Sequence, residues 1–101
     1  MLAQPPVITT SPSDAYVAID KAHTLRCSYD SSSTATVYWY RNGHKILTQF
    51  DDPGSQYSLA GTGDLFLLKF KNQDVGLYYC NVTNQYGSTI SSNGNLQLSG
   101  M

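Results

Sequence analysis

Leu77-Tyr78-Tyr79-Cys80-Asn81-Val82, entered through Asp74-Val75-Gly76, is the stretch whose reading decides the fold. Successive strand residues point to opposite sides, so a period of two sorts this run into two faces. Tyr78, Cys80 and Val82 share one face, and Leu77, Tyr79 and Asn81 share the other. A cysteine in the middle of an apolar row, with a tyrosine two residues ahead of it, reads as a strand with one face turned to a core.

The same period recurs on both sides of this run. Thr24-Leu25-Arg26-Cys27-Ser28 places Leu25 and Cys27 together, with Arg26 and Ser28 opposite. Thr36-Val37-Tyr38-Trp39-Tyr40 aligns Val37 with Trp39, and Asp64-Leu65-Phe66-Leu67-Leu68 sets Leu65 and Leu67 against Phe66 and Leu68. Asn95-Leu96-Gln97-Leu98 turns Leu96 and Leu98 inward. No window holds an apolar period of 3.6, so helices are expected to be short or absent. Turn-rich stretches separate the runs: Asp30 to Ser33, Arg41-Asn42-Gly43-His44, Asp51-Asp52-Pro53-Gly54, Gly61-Thr62-Gly63 and Asn84-Gln85-Tyr86-Gly87. The Asn-Gly pair supplies positive φ at little cost and predicts a tight hairpin at Arg41 to His44. Short strands at regular spacing predict an all-β antiparallel sandwich or barrel, with one domain filling residues 1–101.

Composition narrows the function. The chain has 101 residues and a net charge of −1, and 13% of it is charged, about half the share in an average soluble domain. Its surface is therefore expected to be hydroxyl and amide. The absence of a basic footprint argues against nucleic acid and against a polybasic membrane binder. The run Leu65 to Leu68 is far too short to cross a bilayer. Met1-Leu2 leads straight to Pro5-Pro6, so no signal peptide is expected and the chain reads as an excised piece of a longer protein.

Catalysis is not expected. Gly61-Thr62-Gly63 precedes a strand rather than a helix, so it cannot cradle phosphate. His23 and His44 have no metal-spaced partners, so neither metal nor cofactor is expected. Asp51-Asp52 before Pro53-Gly54 reads as turn initiation. No serine sits in a nucleophile elbow.

Four residues then fall in a specific order. Cys27 and Cys80 lie 53 positions apart, Trp39 follows Cys27 by 12, and Tyr78 precedes Cys80 by two. This set resembles the immunoglobulin fold, whose two sheets are joined by one disulfide across a buried tryptophan. The resemblance implies a Cys27–Cys80 bridge, a core Trp39 and a corner tyrosine at Tyr78. Such a bridge would stabilise the domain by about 4 kcal/mol in the chain-entropy model. Two buried free thiols in an intracellular filament module fit the same spacing. Asn81-Val82-Thr83, an N-glycosylation acceptor, leans toward the secretory route and an extracellular location.

Longer stretches are similar to an I-set domain, most like the first immunoglobulin domain of the Roundabout family of Slit receptors. They are Pro5-Pro6-Val7-Ile8, Thr24 to Cys27, Trp39 to Gly43, Asp51-Asp52-Pro53, Gly63 to Lys69, Val75 to Cys80 and Ser92 to Leu98. The resemblance implies an axon-guidance or adhesion receptor ectodomain that docks on a leucine-rich repeat ligand such as Slit. Carried over by position, the contact falls on Thr10, Arg26, Ser28, Phe66 and Leu68. Phe66 and Leu68 alternate with the inward leucines, so two exposed large apolar side chains are expected there. Roundabout first domains are basic and bind heparan sulfate, whereas this chain has six Lys plus Arg, of which Arg26, Lys69 and Lys71 form a small cluster near Phe66 that also reads as a solvated face. Where the family tends to carry a basic residue paired with the aspartate that precedes the Tyr78-Tyr79-Cys80 strand, this chain has Gln56-Tyr57, so Asp74 is expected to lack that partner. A second surface, Tyr38, Tyr40 and Tyr79, is expected on the other sheet and would suit homophilic or contactin-like adhesion. A structural spacer remains a further alternative.

Overall fold

A computed structural model describes residues 3–100; the Met1-Leu2 start lies outside them. Eleven strands follow in order: β1 Val7–Thr10, β2 Ala15–Val17, β3 His23–Leu25, β4 Ser28–Asp30, β5 Thr36–Arg41, β6 His44–Lys45, β7 Tyr57–Ala60, β8 Asp64–Leu67, β9 Gly76–Asn84, β10 Gly87–Ile90 and β11 Gly94–Leu98. A single 3₁₀ turn, Asn72–Asp74, interrupts them.

The strands form two layers. One contains β3-β8-β7, continued by the β1-β4 pair, and the other runs β2-β11-β9-β5-β6 with β10 also on β9. Cys27 on the first layer is bonded to Cys80 on the second. The expected sandwich and its inter-sheet disulfide are both present.

Local chemistry explains the joints. Arg41 pairs with His44 across the β5–β6 hairpin, and Asn42 and Gly43 take φ of 51° and 83°. Two successive positive φ values are what a two-residue hairpin twisted like its strands requires. Thr24 to Ser28 does not form one uninterrupted strand. Its first part pairs with β8 and its last with β1, so the ladder changes partner at Arg26-Cys27. Asp64 covers the break: its Oδ1 accepts the Cys27 N–H at 2.9 Å. Pairing is antiparallel except at β2, which runs parallel to β11 in a register of Leu96 with Ala15. That parallel edge departs from the all-antiparallel expectation.

Between the layers lie Leu25, Cys27, Val37, Trp39, Leu65, Leu67, Tyr78, Cys80, Val82 and Leu96, all buried. Leu98 is only half-buried, at the edge of this core. Trp39 also meets its polar requirement, donating Nε1–H to the Gly63 carbonyl at 2.8 Å. Phe70 is fully buried although it lies beyond β8. Backbone bonds from Asp20 N–H to the Phe70 carbonyl and from Phe70 N–H to the Lys21 carbonyl fold its segment under the sheet.

Candidate functional site

The first candidate surface is the outer side of the β1, β4, β3 and β8 strands. Leu65 and Leu67 are buried, so the pleat turns Phe66 and Leu68 outward. Thr24 is the cross-strand partner of Phe66 on one side and Ser58 on the other. Ser28 stands opposite Thr10, and Arg26 lies on the same strand face between Thr24 and Ser28. Thr10, Ser28, Arg26, Phe66 and Leu68 therefore share one continuous outward face.

The exposure expected of the two apolar residues holds only for one. Leu68 is 50% exposed, whereas Phe66 is half-buried. Its place between two neighbouring strands lets Thr24 and Ser58 flank the ring, while Leu68 has passed the end of β8.

The charges on this side are partly neutralised. Arg26 Nε lies 3.2 Å from Asp64 Oδ2, and Lys71 is bonded to Asp20. Lys71 holds the Asp20 carboxyl below its ordinary value, by hydrogen bonding first and by charge second. Two of the three basic residues in the expected cluster thus already face a carboxylate.

The second candidate surface, on β5 and β9, differs from its expectation as well. Tyr38 is 38% exposed, but Tyr40 and Tyr79 are half-buried. These two are cross-strand partners whose rings stack at 5.0 Å with only 7° between their planes. Each ring covers part of the other, which is why they are not three free tyrosines. Lys45 Nζ sits 4.9 Å from the centre of the Tyr38 ring, within cation–π range. Asn81 lies on the same face, opposite Tyr38 in the β5–β9 register.

At the base of the sandwich Asp74 is 2% exposed and has no cationic partner among the described residues. Neutral donors take that place. Gln56 Nε2 donates to Oδ2 at 2.6 Å, the Lys71 backbone N–H to Oδ2 at 2.8 Å, and the Tyr57 hydroxyl to Oδ1 at 2.6 Å. The Tyr78 hydroxyl donates to the Asp74 carbonyl at 2.6 Å, which is the corner bond implied by the resemblance. Gln56 and Tyr57 thus satisfy the carboxylate without a cation.

Other residues with consequences carried weak signals. Asn84, read only as part of a turn, is buried and donates Nδ2–H to the Gln4 carbonyl and Ser31 Oγ, while accepting the Tyr86 N–H. It ties the entering chain and two loops together. Phe50 is 93% exposed beside a groove lined by buried Val37, Trp39 and Ile46 and by the exposed Leu59. Its position directly before Asp-Asp-Pro-Gly was the available clue, since a residue entering a tight turn seldom reaches a core. Among the described residues no cluster of three or more His, Cys, Asp or Glu could hold a metal.

This two-layer arrangement, with its disulfide, buried tryptophan and tyrosine corner, defines a class. A family model described as an immunoglobulin domain matches residues 5–84, and the chain belongs to that family. Within it, the chain is an I-set domain resembling those of the Roundabout proteins. It is 34% identical over 99 residues to Roundabout homolog 1 of Homo sapiens, covering 93% of this chain and 6% of that protein. It is 36% identical over 99 residues to Protein sax-3 of Caenorhabditis elegans, covering 92% of this chain and 8% of that protein. Among solved structures, the tandem Ig repeats of Dlar superpose with a TM-score of 0.85 at 27% identity, over 98% of this chain and 50% of that one. The chain thus spans less than a tenth of the curated relatives it matches.

Proposed function

We propose that this chain acts, as one domain, in protein recognition within the extracellular part of a guidance or adhesion receptor. Its partner on this reading is a Slit-like leucine-rich repeat domain, contacted through Phe66 and Leu68 with Thr10, Arg26 and Ser28 around them. What carries the reading is that these five residues, separated by up to 58 positions, share one outward face with an apolar centre and a polar surround. Binding energy in such surfaces concentrates in a few anchors, mostly aromatic residues and Arg, ringed by near-neutral contacts. Kinship with Roundabout homologs supports the choice of partner, and the Cys27–Cys80 bridge supports an oxidising compartment over the filament alternative.

Phe66→Asp tests the site. In a binding assay against a Slit leucine-rich repeat domain it is expected to weaken binding by at least about 30-fold, the effect of losing an anchor worth about 2 kcal/mol or more. Phe66 is half-buried in mid-strand, so the melting temperature is expected to fall by several degrees, and binding is compared at a temperature where both proteins are folded. Unchanged binding by a folded Phe66→Asp protein would overturn the assignment.

The stacked tyrosines favour one rival, homophilic adhesion through Tyr38, Tyr40 and Tyr79. Sedimentation of the unglycosylated domain at high concentration decides it: a strict monomer removes that rival.

A further inference from the structure

We infer that Asn81 is an N-glycosylated residue whose glycan covers the outward face of β5, β9 and β10. This rests on the secretory route proposed above and adds to it a modification and a surface taken out of use.

Of the six asparagines in the chain, Asn81 alone opens an Asn-X-Ser/Thr triplet. A triplet by itself is weak; the geometry around this one is not. Cys80 and Val82 are both fully buried, so the pleat turns Asn81 outward. Thr83 Oγ1 donates to Asn81 Oδ1 at 2.8 Å, which fixes the amide with its nitrogen on the other side. Asn81 Nδ2 makes no hydrogen bond among the described residues. A sugar on that nitrogen therefore displaces no native contact. Asn84 shows the contrast: its Nδ2 uses both protons, so a substituent would cost at least one of its two bonds, and it carries no triplet.

The surroundings suit a carbohydrate. Tyr38 of β5 and Ile90 of β10 are the cross-strand partners of Asn81 on its two sides, and they are 38% and 59% exposed. Thr83 and Ser88, hydrogen-bonded to each other, extend the same face with hydroxyls. The apolar side of a first sugar can rest on an aromatic ring while its hydroxyls meet that polar edge. Tyr38 and Ile90 then lose their exposure to solvent, and the Tyr38, Tyr40 and Tyr79 face is closed to a second protein.

The transfer itself balances without redox change. The donor is an oligosaccharide linked to a lipid pyrophosphate. The Nδ2–C1 bond forms as the C1–O bond to pyrophosphate breaks, Nδ2 gives up one proton, and the lipid pyrophosphate leaves.

The test is the domain expressed behind a secretion signal in glycosylating eukaryotic cells, followed by peptide mapping with enzymatic deglycosylation in heavy-oxygen water. Most secreted molecules are expected to carry a glycan on Asn81, read as isotopically labelled aspartate after release. Asn81→Gln and Thr83→Ala should abolish it, and Thr83→Ser should retain it. A secreted, disulfide-bonded protein with unmodified Asn81 overturns the proposal. Hydroxyl-radical footprinting tests the covering: Tyr38 and Ile90 should be oxidised several-fold less before deglycosylation than after, and equal oxidation refutes that part. The signal supplies the route, so an empty Asn81 counts against this site alone. Failure of the Slit-type binding assay counts against the receptor reading instead.

Discussion

Replacing Tyr57 with phenylalanine removes one oxygen from the group that surrounds Asp74, and counting protons shows what that oxygen does. Three contacts join Tyr57, Tyr78 and Asp74: hydroxyl to Oδ1 at 2.6 Å, hydroxyl to the Asp74 carbonyl at 2.6 Å, and hydroxyl to hydroxyl at 2.9 Å. Two phenols supply only two protons. The Tyr78 proton goes to the carbonyl, and the Tyr57 proton goes to a carboxylate oxygen. The 2.9 Å contact then has no proton of its own and adds little. Tyr57→Phe thus deletes one bond to a charged acceptor and leaves Oδ1 without its donor inside the protein. Bonds to charged groups contribute about 1.5–3 kcal/mol, against about 0.5–1.5 kcal/mol for a neutral bond. The expected loss is about 2 kcal/mol for Tyr57→Phe and about 1 kcal/mol for Tyr78→Phe. In a domain of this size each kcal/mol moves Tm by roughly 4–8 °C. Urea unfolding at pH 7, followed by the fluorescence of the buried Trp39, measures both variants, and an unchanged slope against urea keeps the comparison valid. A Tyr57→Phe protein within about 0.5 kcal/mol of the parent would refute the role given to the Asp74 group. So would a larger loss from Tyr78→Phe.

Further expectations follow from neighbouring contacts. Burial first, and for Tyr57 the bond to Asp74 second, raise both phenols, with Tyr78 pushed up to about 12. The unfolded chain releases these protons first, from about pH 10, so stability should be full below that pH and fall as pH rises toward 12. Urea midpoints between pH 8 and 11 check this, and Tyr57→Phe should flatten the decline. Asn84→Ala leaves a carbonyl, a hydroxyl and an N–H without their partner, so a loss of about 1–3 kcal/mol is expected, with faster amide exchange at Tyr86. Joint Cys27→Ala and Cys80→Ala should lower stability by about 4 kcal/mol through the 53-residue separation, read from chemical unfolding. A change below about 1 kcal/mol would show that the bridge contributes little beyond packing.

Much of the core was legible because strand periodicity has two states. Once Cys80 is inward, Tyr78 and Val82 must follow, and the same logic places Leu25, Val37, Trp39, Leu65, Leu67 and Leu96, all of which are buried. Phe70 escaped it, since a residue past the last ladder bond is buried by how its segment folds back. The candidate faces were legible in direction but not in degree. Parity says that Phe66, Tyr40 and Tyr79 point outward, but not that Thr24 and Ser58 flank the first or that the other two stack on each other.

What the sequence determined by itself was a succession of short strands, one tight hairpin and the sidedness of each strand, and its resemblance to the immunoglobulin fold implied the sandwich and the Cys27–Cys80 cross-link. The strands and hairpin follow from local alternation and from the φ preference of Asn-Gly. The tertiary structure alone decided how Asp74 is satisfied, where Asn84 is anchored and which charges are neutralised. Gln56 and Tyr57 reach Asp74 across 18 and 17 positions, and Asn84 reaches Gln4 across 80. Hydrogen bonds over such separations depend on which strands lie side by side, and no local pattern carries that.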